Sequence, residues 1–271
     1  MPELPEVETT RRGIAPWMEG RRIRALVVRE RRLRWPVPRH LAATLQGSVV
    51  NRVDRRGKYL LLATERGTAL VHLGMSGSLR VLRADVAPGK HDHFDIVLDS
   101  GDCVRFSDPR KFGSLLWTAE DPQRHPLLAD LGPEPLESAF DGDHLWRRAR
   151  GRRVSIKAFL MNAANVVGVG NIYASESLFR AGIGPRRAAG RISRADMSRL
   201  AEAVKNVLQE AVAVGGTTLR DFYGGDGEPG YFGRELRVYD RAEEPCVSCG
   251  TPIRLVTQGQ RSTYFCPSCQ R

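Results

Sequence analysis

Four of the five cysteines fall in the last 26 residues, spaced Cys246-x2-Cys249-x16-Cys266-x2-Cys269. No other feature limits so sharply what this chain can fold into. Each Cys-x2-Cys knuckle can set two sulfurs on one tight turn, and Pro245, Gly250 and Pro267 are turn formers beside them. Two knuckles at this separation fit one tetrahedral Zn²⁺. Four thiolates leave no place for water, so the ion expected is structural. Two disulfides are the alternative, disfavoured in a reducing compartment. A tail of about 35 residues cannot bury a core of its own, so it is expected to need the metal to fold. Arg254 and Arg261 lie between the knuckles, where they could face a polyanion or only solvent. The fifth cysteine, Cys103, sits in an alternating apolar segment and reads as core.

Residues 2–17 read as a helix. Leu4, Val7 and Ile14 recur at helical spacing, and Pro2 and Pro5 fall in the first turn or so, where proline is tolerated. Glu3, Glu6 and Glu8 suit the positive end of the helix dipole. The pattern then changes to short apolar or alternating runs at 24–29, 49–53, 59–63, 68–73, 78–82, 94–98, 103–106 and 114–118, broken by a short helix at 38–46. Many short strands at this spacing point to a sandwich or barrel. A stretch rich in proline and acid follows, with Asp121-Pro122, His125-Pro126 and Gly132-Pro133-Glu134-Pro135. Beyond it, 143–150, 155–163, 172–181 and 194–214 fit helices. Ser193 and Asp196 form a capping box for the last, and Gly182 and Gly215 are natural stops. Seven glycines between 215 and 233 mark either a functional loop or a passive linker.

The expectation is therefore an α+β multidomain chain. An N-terminal helix with a β-sandwich or barrel spans 1–130, a linker 131–140, a helical domain 141–234, and a four-cysteine zinc finger 235–271. No run of about 18 apolar residues and no secretory leader is visible, so no membrane partner is expected and the cytoplasm is the default location. The net charge of +11 suggests a polyanionic partner, but only Lys58, Lys90, Lys111, Lys157 and Lys205 are lysines. An arginine-rich composition can also reflect a GC-rich genome.

The scarcity of lysine turns attention to another amine. With Pro2 in second place, removal of Met1 would leave a free secondary amine, which titrates near 7.7–8.0 as α-amines do and is about a tenth unprotonated at pH 7. Such an amine can attack an anomeric carbon and form an iminium ion, with Glu3 beside it as acid or base. An ordinary helix start, with proline at N1 and glutamate in the first turn, would look the same.

Six segments decide between these readings. They are Pro2-Glu-Leu-Pro-Glu-Val-Glu-Thr-Thr, Arg56-Gly-Lys-Tyr-Leu, His72-Leu-Gly-Met-Ser-Gly-Ser-Leu-Arg80, Asp108-Pro-Arg-Lys-Phe-Gly113, Val167-Gly-Val-Gly-Asn-Ile-Tyr-Ala-Ser-Glu176 and Gly259-Gln-Arg-Ser-Thr-Tyr-Phe-Cys266. In order and from end to end, the chain resembles the formamidopyrimidine-DNA glycosylases. The resemblance implies a base-excision repair enzyme, both glycosylase and abasic-site lyase. It would remove 8-oxoguanine and formamidopyrimidines from duplex DNA through a Schiff base on Pro2, then cut the strand by β,δ-elimination. Glu3 would assist opening of the ribose, Lys58 would donate a proton in β-elimination, and Arg261 would bind phosphate and serve δ-elimination. His72, His91, Arg110, Arg153 and Asn171 would hold DNA, mostly at phosphates, with Asn171 in a helix–two-turn–helix element. Its place after Gly168-Val-Gly170 and before a helix suits phosphate binding. Met75, Arg110 and Phe112 would enter the duplex, Glu6 would lie by the lesion pocket, and the glycine-rich loop would close over the flipped base. The four cysteines would hold one structural zinc, and the N-terminal strands would form a β-sandwich rather than a barrel. The partner implied is double-stranded DNA carrying damaged bases or abasic sites, bound by a monomer in a basic cleft between the lobes.

Residues 160–165, Leu-Met-Asn-Ala-Ala-Asn, depart from the family's usual Leu-Met-Asp-Gln/Asn-Lys, which puts a site role for that turn in doubt. Arg153 stands where lysine is also common. Two rivals are endonuclease VIII, of the same fold but acting on oxidised pyrimidines, and a non-catalytic zinc-dependent DNA-binding protein. Leu4, where endonuclease VIII has glycine, and the set Met75, Arg110 and Phe112 favour the purine enzyme. Pro2, Glu3 and Lys58 argue against a protein without catalysis.

Overall fold

A computed structural model describes residues 2–217 and 236–271. The chain forms two compact units, Met1–Asp130 with Val214–Tyr231, and Leu131–Ala213 with Phe232–Arg271.

The first unit opens on helix α1 (Leu4–Met18). It begins two residues later than the apolar spacing suggests, because Glu3 is extended and serves as its N-cap. The Glu6 side chain reaches back to accept the Glu3 N–H at 2.8 Å, half of a reciprocal capping box. Pro5, within the first turn, lacks only an N–H that would have had no partner in the helix. Pro2 therefore lies ahead of the helix. After β1 (Ile23–Val28) and the short α2 (Leu41–Leu45) come β2 (Val50–Arg56), β3 (Tyr59–Thr64), β4 (Gly67–His72), β5 (Ser78–Arg83), β6 (Asp92–Leu98), β7 (Asp102–Ser107) and β8 (Ser114–Thr118). They build two antiparallel four-stranded sheets, in the orders β1-β6-β7-β5 and β2-β3-β4-β8. Both sheets feed one core, with Leu60, Leu62 and Val71 from one and Ile96, Val104 and Phe106 from the other. Phe94 stacks on Phe106 at 4.8 Å between ring centroids. This is a sandwich, with α1 and α2 adding Val7, Ile14, Met18, Leu41 and Leu45 to its core.

The β1-β6-β7-β5 sheet also buries charge. Asp95 on β6 stands opposite Arg105 on β7. Arg105, 2 % exposed, holds the Asp95 carboxylate through Nε and Nη2, both at 2.9 Å, and also donates to the Val86 and Ala87 carbonyls. Arg29 grips the same carboxylate with two further bonds.

In the second unit the helices are α3 (Gly142–Ala149), α4 (Ile156–Leu160), α5 (Asn171–Arg180) and α6 (Arg194–Ala213). Asp196 N–H donates to the Ser193 hydroxyl at 3.0 Å, which caps α6 as expected. Helix α4 ends earlier than residue 163. Asn162 Oδ1 accepts the Ala164 N–H at 3.0 Å, a side-chain turn that competes with helix. Two turns then lead to Gly170, the N-cap of α5. Strands β9 (Arg254–Gln258) and β10 (Arg261–Phe265) pair as a hairpin, closed by Gly259 and Gln260 with φ of +53° and +62°. Two successive left-handed residues match the turn that suits strand twist. Among the described residues no helix is long and apolar enough to cross a membrane.

Candidate functional site

At the head of α1, Pro2 and Glu3 are buried, Glu3 to 2 % exposure. The Glu6 carboxylate, 3 % exposed, accepts the Glu3 N–H through Oε2 and the Thr217 N–H through Oε1, both at 2.8 Å. One side chain thus fixes the backbone just after Pro2 and the start of the glycine-rich segment. Gly216 has φ +82°, and a Cβ there would lie 2.8 Å from Glu6 Oε1, so this approach requires glycine. From 218 onward the glycine-rich segment lies outside the described residues.

Lys58 occupies the β2–β3 turn. Arg56 pairs with Tyr59, leaving Gly57 and Lys58 as a two-residue loop with a left-handed angle only at Gly57 (φ +57°), the pattern of a type II′ turn. Helix α1 is bolted to β2 just ahead of this turn. Glu8 accepts from Arg55 Nε at 3.2 Å, and Arg11 donates to the Val53 carbonyl at 3.2 Å. His72 ends β4 opposite Tyr59, with ring centroids 4.8 Å apart. Its Nδ1 accepts the Gly74 N–H at 2.9 Å, so the proton sits on Nε2. Burial, and then the Lys58 and Arg34 cations, push its pKa down to about 4. His72 is therefore a neutral N–H donor at pH 7, with Lys58 as its charged neighbour.

Met75 and Phe112, on the loops after β4 and β7, are each 41 % exposed, unusual for large apolar side chains. Arg110 is exposed as well, its guanidinium 4.9 Å from the Phe112 ring centroid. His91 is half-buried ahead of β6 and accepts the Asp108 N–H through its carbonyl at 2.9 Å.

In the second unit, Asn171 opens α5, and its amide donates to the Ser262 carbonyl at 3.0 Å, next to the exposed Arg261. Lys157, absent from the candidates drawn from sequence, is 2 % exposed and donates to the Ser262 carbonyl at 2.8 Å and Thr263 Oγ1 at 2.9 Å. Arg261, Lys157, Ser155, Met161 and Asn162 border a cavity of about 250 Å³. Asn162 there makes its turn through a side-chain oxygen, which an amide supplies as well as an acid, so the departure leaves the local structure intact. Arg153 stands exposed on the turn before α4. Glu176, quoted above without a role, is 1 % exposed on α5 and accepts the N–H groups of Arg237, Val238 and Tyr239 at 2.8–2.9 Å. An acid on an apolar helix face was the available signal.

All four sulfurs of Cys246, Cys249, Cys266 and Cys269 lie within 4.8 Å of one another, and none is in a disulfide. Sγ separations of 3.4, 3.5 and 3.9 Å join Cys249 to Cys269, Cys249 to Cys266 and Cys246 to Cys269. A tetrahedron of zinc–sulfur bonds near 2.3 Å has edges of about 3.8 Å, so the set fits zinc. The Ser248 and Cys269 N–H groups point at the sulfurs of Cys246 and Cys266 at 3.4 Å, as knuckle turns do.

Three family models match the chain. They are the formamidopyrimidine-DNA glycosylase N-terminal domain over residues 1–115, the formamidopyrimidine-DNA glycosylase H2TH domain over 131–223, and a zinc finger found in FPG and IleRS over 243–271. The formamidopyrimidine-DNA glycosylase of Methylococcus capsulatus is 60 % identical over 271 residues, covering all of both chains. Among solved structures, the MutM (Fpg) protein of Thermus thermophilus is 40 % identical with a TM-score of 0.90, over 99 % of this chain and 98 % of that one. The wild-type Lactococcus lactis Fpg, in complex with DNA containing N7-benzyl-Fapy-dG, is 31 % identical with a TM-score of 0.92, over 100 % of both chains.

Proposed function

This chain belongs to the formamidopyrimidine-DNA glycosylase family, and from that premise we propose that it excises oxidised purines from duplex DNA with Pro2 as nucleophile. It is a base-excision repair glycosylase acting on damaged bases, with the abasic-site lyase activity of its family. Cys246, Cys249, Cys266 and Cys269 hold one structural zinc, which cross-links a tail too short to fold on apolar burial alone.

The observation that carries the nucleophile is the state of the N-terminus. Pro2 is set ahead of α1, buried beside Glu3, and the bond after it is held by the Glu6 carboxylate. A helix start with no task beyond initiation does not need a buried acid at its cap. With Met1 removed, the Pro2 nitrogen attacks C1′ of the damaged nucleotide and the bond from C1′ to the base breaks. The base leaves with a proton, the ring opens with Glu3 protonating its oxygen, and an iminium joins Pro2 to C1′. Loss of a C2′ proton then breaks the C3′–O bond, with Lys58 as proton donor, and a second elimination at the 5′ side follows with Arg261 at the phosphate. Water releases the sugar fragment and restores the amine. His72, neutral and donating from Nε2, together with His91, Arg153 and Asn171, would hold the backbone. Met75, Arg110 and Phe112 would fill the gap, with the Arg110 donors facing the two acceptors of an estranged cytosine. Glu6 would border the lesion. The substrate sets the location, the bacterial cytoplasm.

Borohydride trapping on duplex DNA with one 8-oxoguanine tests this. Protein lacking Met1 should be trapped, and protein with one residue added before Pro2 should not, because the nitrogen is then an amide. Equal trapping of the extended protein would point to Lys58 instead.

A further inference from the structure

Met75 stands on one loop and Arg110 and Phe112 on another, yet one buried carboxylate ties the two loops together. Asp108 is fully buried at the root of the second loop. Its Oδ1 accepts the Arg110 N–H at 3.1 Å and its Oδ2 the Gly113 N–H at 2.8 Å, which folds that loop back on itself. The same Oδ1 accepts the Ser76 hydroxyl at 2.7 Å, and Ser76 directly follows Met75. The backbone of Asp108 is anchored from behind. His93 Nε2 donates to its carbonyl at 2.7 Å, and its N–H donates to the His91 carbonyl at 2.9 Å.

Close packing acts in the same sense. A Cβ on Gly74 would lie 2.5 Å from the carbonyl carbon of Phe112 and the nitrogen of Gly113, so the two loops touch along their backbones. Lys111, between Arg110 and Phe112, adopts φ +56°, a conformation uncommon for a residue with a side chain. Its ammonium pairs with Glu30 at 2.6 Å, which holds the turn from a third side.

We propose that Ser76 is a positioning residue, whose hydroxyl, bonded to Asp108, joins the Met75 loop to the Arg110–Phe112 loop so that the three side chains enter DNA as one preformed wedge. The proposal rests on the reading of those three residues as inserting into the duplex. Two loops ordered separately would each lose conformational freedom on binding, whereas a joined pair has lost it already. An extruded base leaves a single gap, so the side chains from both loops must converge on one space to hold the stack open. Ser76 itself touches no reacting atom in this scheme.

The test uses full-length, zinc-loaded protein on a duplex with 8-oxoguanine opposite cytosine and 2-aminopurine beside the lesion. Stopped-flow fluorescence reads unstacking, and single-turnover quench reads excision. Ser76→Ala should slow both by about ten-fold, the scale of one lost hydrogen bond to a carboxylate. Cleavage of single-stranded DNA with a preformed abasic site has no stack to open and should stay at the parent rate. Ser76→Thr keeps the hydroxyl and should recover the duplex rates. In a Met75→Ala/Phe112→Ala background, adding Ser76→Ala should cost less than about two-fold more. Equal slowing on single-stranded DNA, or a full further ten-fold loss in the wedge-less background, would overturn the proposal. So would parental duplex rates for Ser76→Ala while the wedge-less protein is slow, a result that leaves the insertion reading standing. A wedge-less protein as fast as the parent would overturn that reading and the coupling with it.

Discussion

Glu6→Ala is a perturbation whose cost follows from two bonds. The carboxylate accepts the N–H groups of Glu3 and Thr217 at 2.8 Å, and these residues are 2 % and 3 % exposed. Alanine would leave both donors buried without that acceptor. Each such group costs about 1–3 kcal/mol, hence about 2–6 kcal/mol for the pair. Loss of a carboxylate from the first helical turn adds about 0.3–1 kcal/mol. Against a total stability of about 5–15 kcal/mol, the variant should fold but unfold at markedly lower urea. Glu6→Gln retains one side-chain oxygen and turns an NH₂ toward the other donor, so its loss should fall near half that of alanine. Function should follow the same order. The backbone after Pro2 is loosened, so excision on duplex and cleavage of single-stranded abasic DNA should fall together. That joint fall distinguishes this variant from Ser76→Ala. Urea unfolding of the zinc-loaded protein and the rate of borohydride trapping are the assays. A Glu6→Ala protein within about 0.5 kcal/mol of the parent, the range of an ordinary surface change, would refute the reasoning.

Cys249→Ser should abolish bound zinc by metal analysis and weaken DNA binding while the sandwich stays folded; a zinc-free parent with full activity would contradict this. His72 sets a pH dependence, because its folded pKa of about 4 lies below the ordinary 6.5. Between those values the unfolded chain binds more protons, so stability is full above pH 6.5 and falls toward pH 4, by up to about 3 kcal/mol. Urea titrations of the parent and His72→Asn should therefore diverge across that window, and parallel curves would remove His72 as the cause. Arg105→Met removes the bidentate partner of the buried Asp95, at a cost of about 3–5 kcal/mol, moderated by Arg29. A thermal midpoint unchanged from the parent would show that the buried pair contributes little.

Local chemistry was readable from the chain, and long-range pairing was not. The run expected at 114–118 is strand β8 to the residue, because short β-branched and apolar segments bounded by turn residues have few alternatives. Helix α1 starts later than expected because only the Glu6 bond to the Glu3 N–H settles which residue is the cap. The pairing of β1 with β6 and of β4 with β8 depends on contacts far apart in sequence, which no window of residues contains. The cysteines declare their chemistry by spacing, whereas Pro2, Lys58 and Arg261 were singled out chiefly through family resemblance. In a basic chain the natural assignment of any unexplained charge is to DNA. Yet Glu6, Asp108, Lys157 and Glu176, all at most 3 % exposed, each bond to the protein's own backbone. Burying such groups is costly unless their bonds are met, so each marks a segment whose position matters. Glu6 holds the N-terminus, Asp108 the exposed Arg110–Phe112 loop, Lys157 the zinc hairpin beside Arg261, and Glu176 the strand of chain that enters the zinc module. Partners 211, 105 and 62 residues away in sequence explain why the anchoring roles of Glu6, Lys157 and Glu176 were not legible before the fold was known, whereas Asp108 bonds only 5 residues away. Asp108, the local exception, was visible as a motif, but its role needed Ser76, 32 residues earlier. In each unit, then, exposed candidate groups stand on segments that buried charges hold in place: Arg110 and Phe112 above Asp108 in the first, Arg261 above Lys157 in the second.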